Sequence, residues 1–217
     1  GAGRLDLRAA LAGRLALNPV SVSFGMGGQR VEQTRNIRVA NLTGGLGSWK
    51  VDVDSADDVK ATVDPAEFSL GAGDTVDLKV TFSGDVPVGE SQGFLLFRPV
   101  DAQDGERPQR LAYWYGVPSG KPVIGTFIPN PPTSGTAGST VSLPFLLTDA
   151  IGAGGSFDAP SGVVLEGSGS FLDANSLDSA YPGYWLIRVR LGATAGQTNR
   201  FRITAGSVVR EVSIISR

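Results

Sequence analysis

The chain has 217 residues, of which 41% are hydrophobic and 18% charged, with 30 glycines and 13 prolines. This is too apolar for disorder and too rich in turn formers for a helical bundle, so it suits an all-β chain of many short strands. The formal net charge of −2, near balance in both halves, recommends no nucleic acid partner.

In chain order, residues 4–12 (Arg-Leu-Asp-Leu-Arg-Ala-Ala-Leu-Ala) form the one helical pattern, with Leu7 and Leu11 on one face and Asp6 near its start. From Leu17 the apolar period becomes two. Val20, Val22 and Phe24 alternate with Ser21 and Ser23, and the run ends in Gly25-Met26-Gly27-Gly28, which reads as one strand and a turn. The same rhythm predicts strands over 34–41, 49–53, 75–82, 94–97 and 111–117, separated by glycine turns at 42–47, 71–73 and 84–89.

A shift in composition at Pro118-Ser119-Gly120-Lys121-Pro122 marks a linker. Strands are expected again over 140–147, 162–166, 184–191, 200–205 and 208–215. In the third of these, Trp185, Ile187, Val189 and Leu191 alternate with Leu186, Arg188 and Arg190, so one face is buried and the other largely wet. The expected architecture is two tandem antiparallel Ig/fibronectin-III-like sandwiches, 17–118 and 119–217, preceded by a short helical segment. No apolar run reaches the roughly 18 residues of a membrane span, and no signal-peptide layout opens the chain.

Cysteine and histidine are both absent. There is therefore no disulfide framework, no thiolate nucleophile and no sulfur-ligated metal, and the commonest general base and zinc ligand are missing. The aspartates Asp52, Asp54, Asp57 and Asp58 are the leading oxygen cluster for a hard cation. They fail the EF-hand spacing, because Ala56 stands at a ligand position, and the favoured reading is a wet turn with no metal. Asp101, Asp104 and Glu106 form a second such loop. The glycine-rich runs are followed by no helix and read as turns rather than phosphate cradles. No cofactor is expected. Asn41-Leu42-Thr43 is a formal glycosylation triplet.

Two clusters qualify as interaction surfaces. Tyr113, Trp114 and Tyr115 send aromatic area to both faces of one strand, as a stacking platform or, in the favoured reading, as core and packing residues. Arg188, Arg190, Arg200 and Arg202 would form one basic stripe if their strands pair as a hairpin through 192–197. Solvated charges that protect the sheet are the commoner account of such a stripe.

The opening Gly1-Ala2-Gly3-Arg4-Leu5-Asp6-Leu7 with its small-residue helix resembles the closing segment of the subtilisin-like serine protease catalytic domain. Leu17-Asn18-Pro19, Phe24-Gly25, 37–43, 68–82, 89–97 and 111–115 resemble the Ig- or fibronectin-like module that follows it in bacterial members. This resemblance implies that residues 1–16 are a remnant of the protease domain's last helix and its linker. It further implies a secreted or cell-surface parent and a monomeric accessory region that spaces, stabilises or positions the catalytic domain. The implied partners are that domain in cis and a protein or polysaccharide substrate. The family's Asp, His-Gly-Thr and Gly-Thr-Ser-Met-Ala segments are absent, so the chain itself is not expected to be an enzyme. An adhesin or carbohydrate-binding module is the alternative.

Overall fold

The computed structural model describes residues 13–101, 108–177 and 180–217; across them the chain is all-β, with seventeen strands and no helix. The helix expected over 4–12 lies outside the described residues. The chain divides into two compact units, one ending at Val117 and the other beginning at Pro118.

The first unit stacks two sheets. One has the order β1 (Leu15–Asn18), β3 (Arg30–Asn41), β7 (Thr75–Asp85), β5 (Ala61–Asp64). The other has the order β2 (Ser21–Met26), β9 (Gln109–Val117), β8 (Gly89–Pro99), β4 (Gly47–Asp54), β6 (Glu67–Leu70). The single strand expected from Leu17 is in fact two strands in different sheets. β1 pairs antiparallel with β3, whereas β2 pairs parallel with β9. The crossing falls at Pro19, which has no N–H to donate to a continuing ladder.

The second unit repeats the two-layer plan. Its sheets run β10 (Ile124–Phe127), β12 (Thr140–Thr148), β15 (Tyr184–Arg190), β14 (Ser170–Ser176), and β11 (Ser134–Gly135), β17 (Val208–Ser216), β16 (Thr198–Ala205), β13 (Ser161–Glu166). β15 and β16 are not a hairpin: β15 pairs with β12 and β14, and β16 with β13 and β17. The connection between them crosses from one layer to the other, because Leu191 and Gly192 turn inward and are buried. The strands β5, β6, β10, β11 and β14 were not expected from the alternation. Most are edge strands of four residues or fewer, too short to show a period.

Alternation sends one side of each strand into a core. In the first unit Phe82 of β7 meets Phe24, Tyr115 and Tyr113 at centroid distances of 5.4, 5.6 and 6.0 Å, joining the two sheets. Trp49 is buried and stacks on Phe68 at 5.9 Å. In the second unit Phe145, Ile187, Phe201, Ile203 and Ile214 are fully buried, and Phe127 lies 4.8 Å from Phe145. Tyr113 lies over Gly93, its cross-strand partner. A methyl group there would come within 2.5 Å of the Tyr113 hydroxyl and 2.7 Å of the Asp54 carbonyl, so the position requires glycine.

Buried polar side chains hold the turns. The Asn41 amide donates to the carbonyls of Gly45, Leu70 and Gly71 at 2.8, 3.0 and 2.9 Å, and its oxygen accepts from the Thr43 amide and hydroxyl. One side chain thereby ties the loop after β3 to the turn before β7. It also closes the glycosylation triplet, since the nitrogen that would be modified is only 1% exposed and fully used. In the second unit Asn199 accepts from Gly192 N–H at 2.9 Å and donates to the Ser216 hydroxyl at 2.9 Å. Asp149 accepts from the amides of Ser119, Ile151 and Ala153 at 2.7, 3.0 and 2.9 Å.

Asn41→Asp exchanges a donor for a carboxylate that faces three carbonyls. The substitution should lower the stability of the first unit by about 3 kcal/mol or more. Urea unfolding followed by tryptophan fluorescence measures it, and an unchanged midpoint would refute the keystone role of Asn41.

Candidate interaction faces

The aromatic triplet is divided by strand parity. Tyr113 and Tyr115 are core residues, 2% and 1% exposed, and so are unavailable as a platform. The Tyr115 hydroxyl donates to the Gly28 carbonyl at 2.8 Å, whereas the Tyr113 hydroxyl is buried with no hydrogen-bond partner.

Trp114 points outward and is half-buried. It stands opposite Gln92 of β8 on one side and Ser23 of β2 on the other. The neighbouring outward row brings Phe94, Ala112 and Ser21 into register. Together these side chains line a shallow, open dish of about 270 Å³. The Arg110 guanidinium lies over the Phe94 ring, 5.7 Å from its centroid. Sequence reasoning found Trp114 but missed Phe94, because the strand expected over 94–97 gives no sign that β9 lies beside it.

The dish borders the edge strand β2, whose outer side has no strand partner among the described residues. Residues 15–29, bounded by Arg14 and Arg30, carry no charge. Val20, just before β2, and Met26, its last residue, are 80% and 53% exposed. A second bare edge, residues 30–37 of β3 beyond the end of β1, is protected differently. There Arg35 points to the inner face, lies 5.8 Å over Phe24 and donates to Gln33 and to the Thr34 carbonyl. An inward-pointing charge at an edge blocks the approach of another strand. The Phe24 ring belongs to β2, which itself carries no charged residue.

The basic stripe is not formed. Arg188 and Arg190 lie in the β15 sheet, Arg200 and Arg202 in the β16 sheet. Arg188 forks onto Asp173, with Nε at 2.8 Å from Oδ1 and Nη2 on Oδ2. Arg202 donates twice to Glu211 Oε1, at 3.1 and 2.9 Å, and Arg200 sits 3.9 Å from the same carboxylate.

The aspartate cluster is likewise dispersed. Asp52 meets Arg98 at 3.1 Å and Lys50 at 3.8 Å. Asp57 accepts from the Gln92 amide at 2.9 Å, and Asp54 is exposed at the end of β4. Among the described residues no group of three or more acidic side chains converges on a metal-sized space. Asp101 pairs with Arg14 at 3.3 Å, and Asp104 and Glu106 lie outside the described residues.

No family model matches the chain, and no curated protein matches it. Among solved structures it is similar to the YadV chaperone, at 16% identity, covering 92% of this chain and 98% of that one with a TM-score of 0.41. The Salmonella enterica SafA pilin in complex with the SafB chaperone gives 12% identity, coverage of 93% and 95%, and a TM-score of 0.39. A PapD-like domain of human CEP192 gives 11% identity, coverage of 48% and 84%, and a TM-score of 0.38. Likeness at this level carries no argument about function.

No family model or curated protein links the chain to the subtilisin-like proteases, and the resemblance to their accessory region is corrected on that ground. The role beside a catalytic domain in cis goes with it, as does the adhesin or carbohydrate-module alternative. The residues that suggested the family have general uses in a sandwich. Asn18-Pro19 ends one strand at a sheet crossing, and the Asp74 carboxylate accepts from the Gly71 amide at 3.1 Å to close the turn 71–74. No helix among the described residues is long and apolar enough to cross a membrane.

The two tyrosines respond oppositely to loss of the hydroxyl. Tyr113→Phe removes an unsatisfied buried group and should leave stability unchanged or raise it by about 1 kcal/mol, while Tyr115→Phe should cost about 1 kcal/mol. Chemical denaturation of both variants checks this, and a large loss in Tyr113→Phe would contradict the packing described. The Asp173 carboxyl is held below its usual range by the hydrogen bonds and positive charge of Arg188, and Asp77 likewise by Arg38. A depressed carboxyl pKa stabilises the fold above the unfolded value near 4, and that contribution is lost as pH falls through the folded value. In a carbon-detected NMR titration Asp173 should titrate below a free aspartate and return to the ordinary range in Arg188→Gln. An unshifted midpoint in the parent chain would disprove the pairing.

Proposed function

We propose that the chain is a protein-binding module, not an enzyme, and that it takes an extended segment of a partner protein at the Trp114 dish beside β2. The observation that carries this is the coincidence of an uncharged edge strand with a half-buried tryptophan and a phenylalanine on the adjoining outward face. A strand laid along β2 would satisfy the row of edge amides and carbonyls. Its side chains on the same face as Ser21 and Ser23 would reach Trp114 and Ala112.

The non-enzymatic part of the proposal rests on the lack of imidazole and thiol groups and on the use of the carboxylates. Asp149 is spent on backbone amides, and Asp52, Asp77, Asp173 and Glu211 on cations. These carboxylates are thus committed to partners, whereas acid–base hydrolysis by carboxylates alone requires two that face each other across a cleft.

Selection from a linear random-peptide library displayed against the full chain tests the reading. Enriched peptides should quench or shift Trp114 fluorescence. They should lose about 30-fold or more in affinity in Trp114→Ala, the loss expected of a central aromatic anchor, and comparably in Ser21→Lys, which places a charge on the edge. Binders unaffected by both substitutions, or no enrichment at all, would refute the site.

A further inference from the structure

One end of the outer face of the β15 sheet in the second unit is apolar where a solvent-facing sheet of a sandwich should be polar, while Asn175 beside Leu186 and Thr126 beside Leu146 are polar. Two adjacent outward rows run across it. In the first, Pro144 of β12 stands opposite Leu186 of β15, with Ile128 bonded to the Pro144 carbonyl at 3.0 Å. In the second, Leu146 stands opposite Tyr184, and Leu177 donates to the Tyr184 carbonyl at 2.9 Å. Tyr181 meets the Tyr184 ring edge-on at 6.4 Å. Ile128, Leu177 and Tyr181 remain 44%, 53% and 62% exposed. A contiguous apolar patch of this kind marks an interaction site, whereas isolated exposed side chains need no explanation.

Shape and charge select the occupant. Each row is apolar over two strand spacings, roughly 10 Å, and the two rows extend about 7 Å along the strands. That footprint suits one or two turns of a helix about 10 Å across, and it is much smaller than the ~800 Å² per partner of a stable dimer. Further along β15 the outward positions become Arg188 and then Arg190. Arg188 is neutralised by Asp173, and Arg190 makes no ion pair with any carboxylate among the described residues. The outward side chains of this sheet thus carry one excess positive charge, about 14 Å from Leu186, a distance that a helix covers in about nine residues.

We infer that this face docks an amphipathic helix of a partner protein, with one or two apolar turns on the Pro144/Leu146/Tyr184/Leu186 patch and an acidic residue two to three turns along, opposite Arg190. The surface is separate from the Trp114 dish and does not depend on it.

The test uses the full chain and a displayed library of helical peptides. The apolar face is limited to Leu, Ile, Met and Phe, and the positions two to three turns away are randomised. Enriched sequences should carry Asp or Glu at those positions. In the labelled chain they should shift the amide resonances of Leu146, Leu177, Tyr184 and Leu186, and they should weaken at least about tenfold in Leu186→Ser. Arg190→Glu, a change at an exposed position, should reverse the preference to Lys or Arg at the same positions. Absence of enrichment, binders indifferent to the charge at residue 190, or shifts mapped elsewhere would overturn the inference. So would a chain that dimerises in sedimentation and becomes monomeric in Leu186→Ser, since the face would then belong to a second copy.

Discussion

Phe82 is the contact that converts two sheets into one core in the first unit. It projects from β7 and is fully buried against Phe24 of β2 and Tyr113 and Tyr115 of β9, both in the opposite sheet. Once both tyrosines of β9 are committed to that contact, strand parity leaves Trp114 no choice but to face outward. The proposed binding dish therefore follows from the core: an aromatic residue at an outward position is held in place by aromatic residues on either side of it that face inward. The second unit uses the same logic, with Trp185, Ile187 and Val189 turned inward and Tyr184 and Leu186 turned out.

With no cysteine available, side-chain hydrogen bonds take up the work of fixing the loops. Asn41 in the first unit and Asn199 and Asp149 in the second are each about 1% exposed or less, and each bridges segments that no strand pairing joins. A buried amide or carboxylate is costly when unpaired and stabilising when every donor and acceptor is met, so these residues specify the loop geometry as well as tolerating burial. The triplet that begins at Asn41 shows the consequence for sequence motifs: a pattern that reads as a modification site is structural once its side chain is enclosed.

The edges of the sheets differ in how they are closed, and this difference carries the functional proposal. The free stretch of β3 has an inward arginine held by a ring and two hydrogen bonds. The β17 edge is covered by β11 at its end and by Arg210, which donates to the Gly125 carbonyl at 2.8 Å. Of these three edges, β2 combines a free side, no charge and an adjoining aromatic surface.

The alternation of apolar and polar residues is local, and it showed in the sequence alone which stretches are strands and which side of each is buried. Trp185/Ile187/Val189 against Arg188/Arg190, and Tyr113/Tyr115 against Trp114, are legible in this way, and the sequence alone shows that cysteine and histidine are absent. Parity states the face of a strand but not its neighbour, and neighbours are decided by contacts between residues distant in the chain. Only the tertiary structure could therefore split Leu15–Asn18 from Ser21–Met26, separate Arg188 from Arg200, bring Phe94 beside Trp114, and set Ile128 and Leu146 next to Tyr184. Short edge strands were invisible for a related reason: four residues are too few to display a period, and they form because a longer strand offers them an unpaired edge.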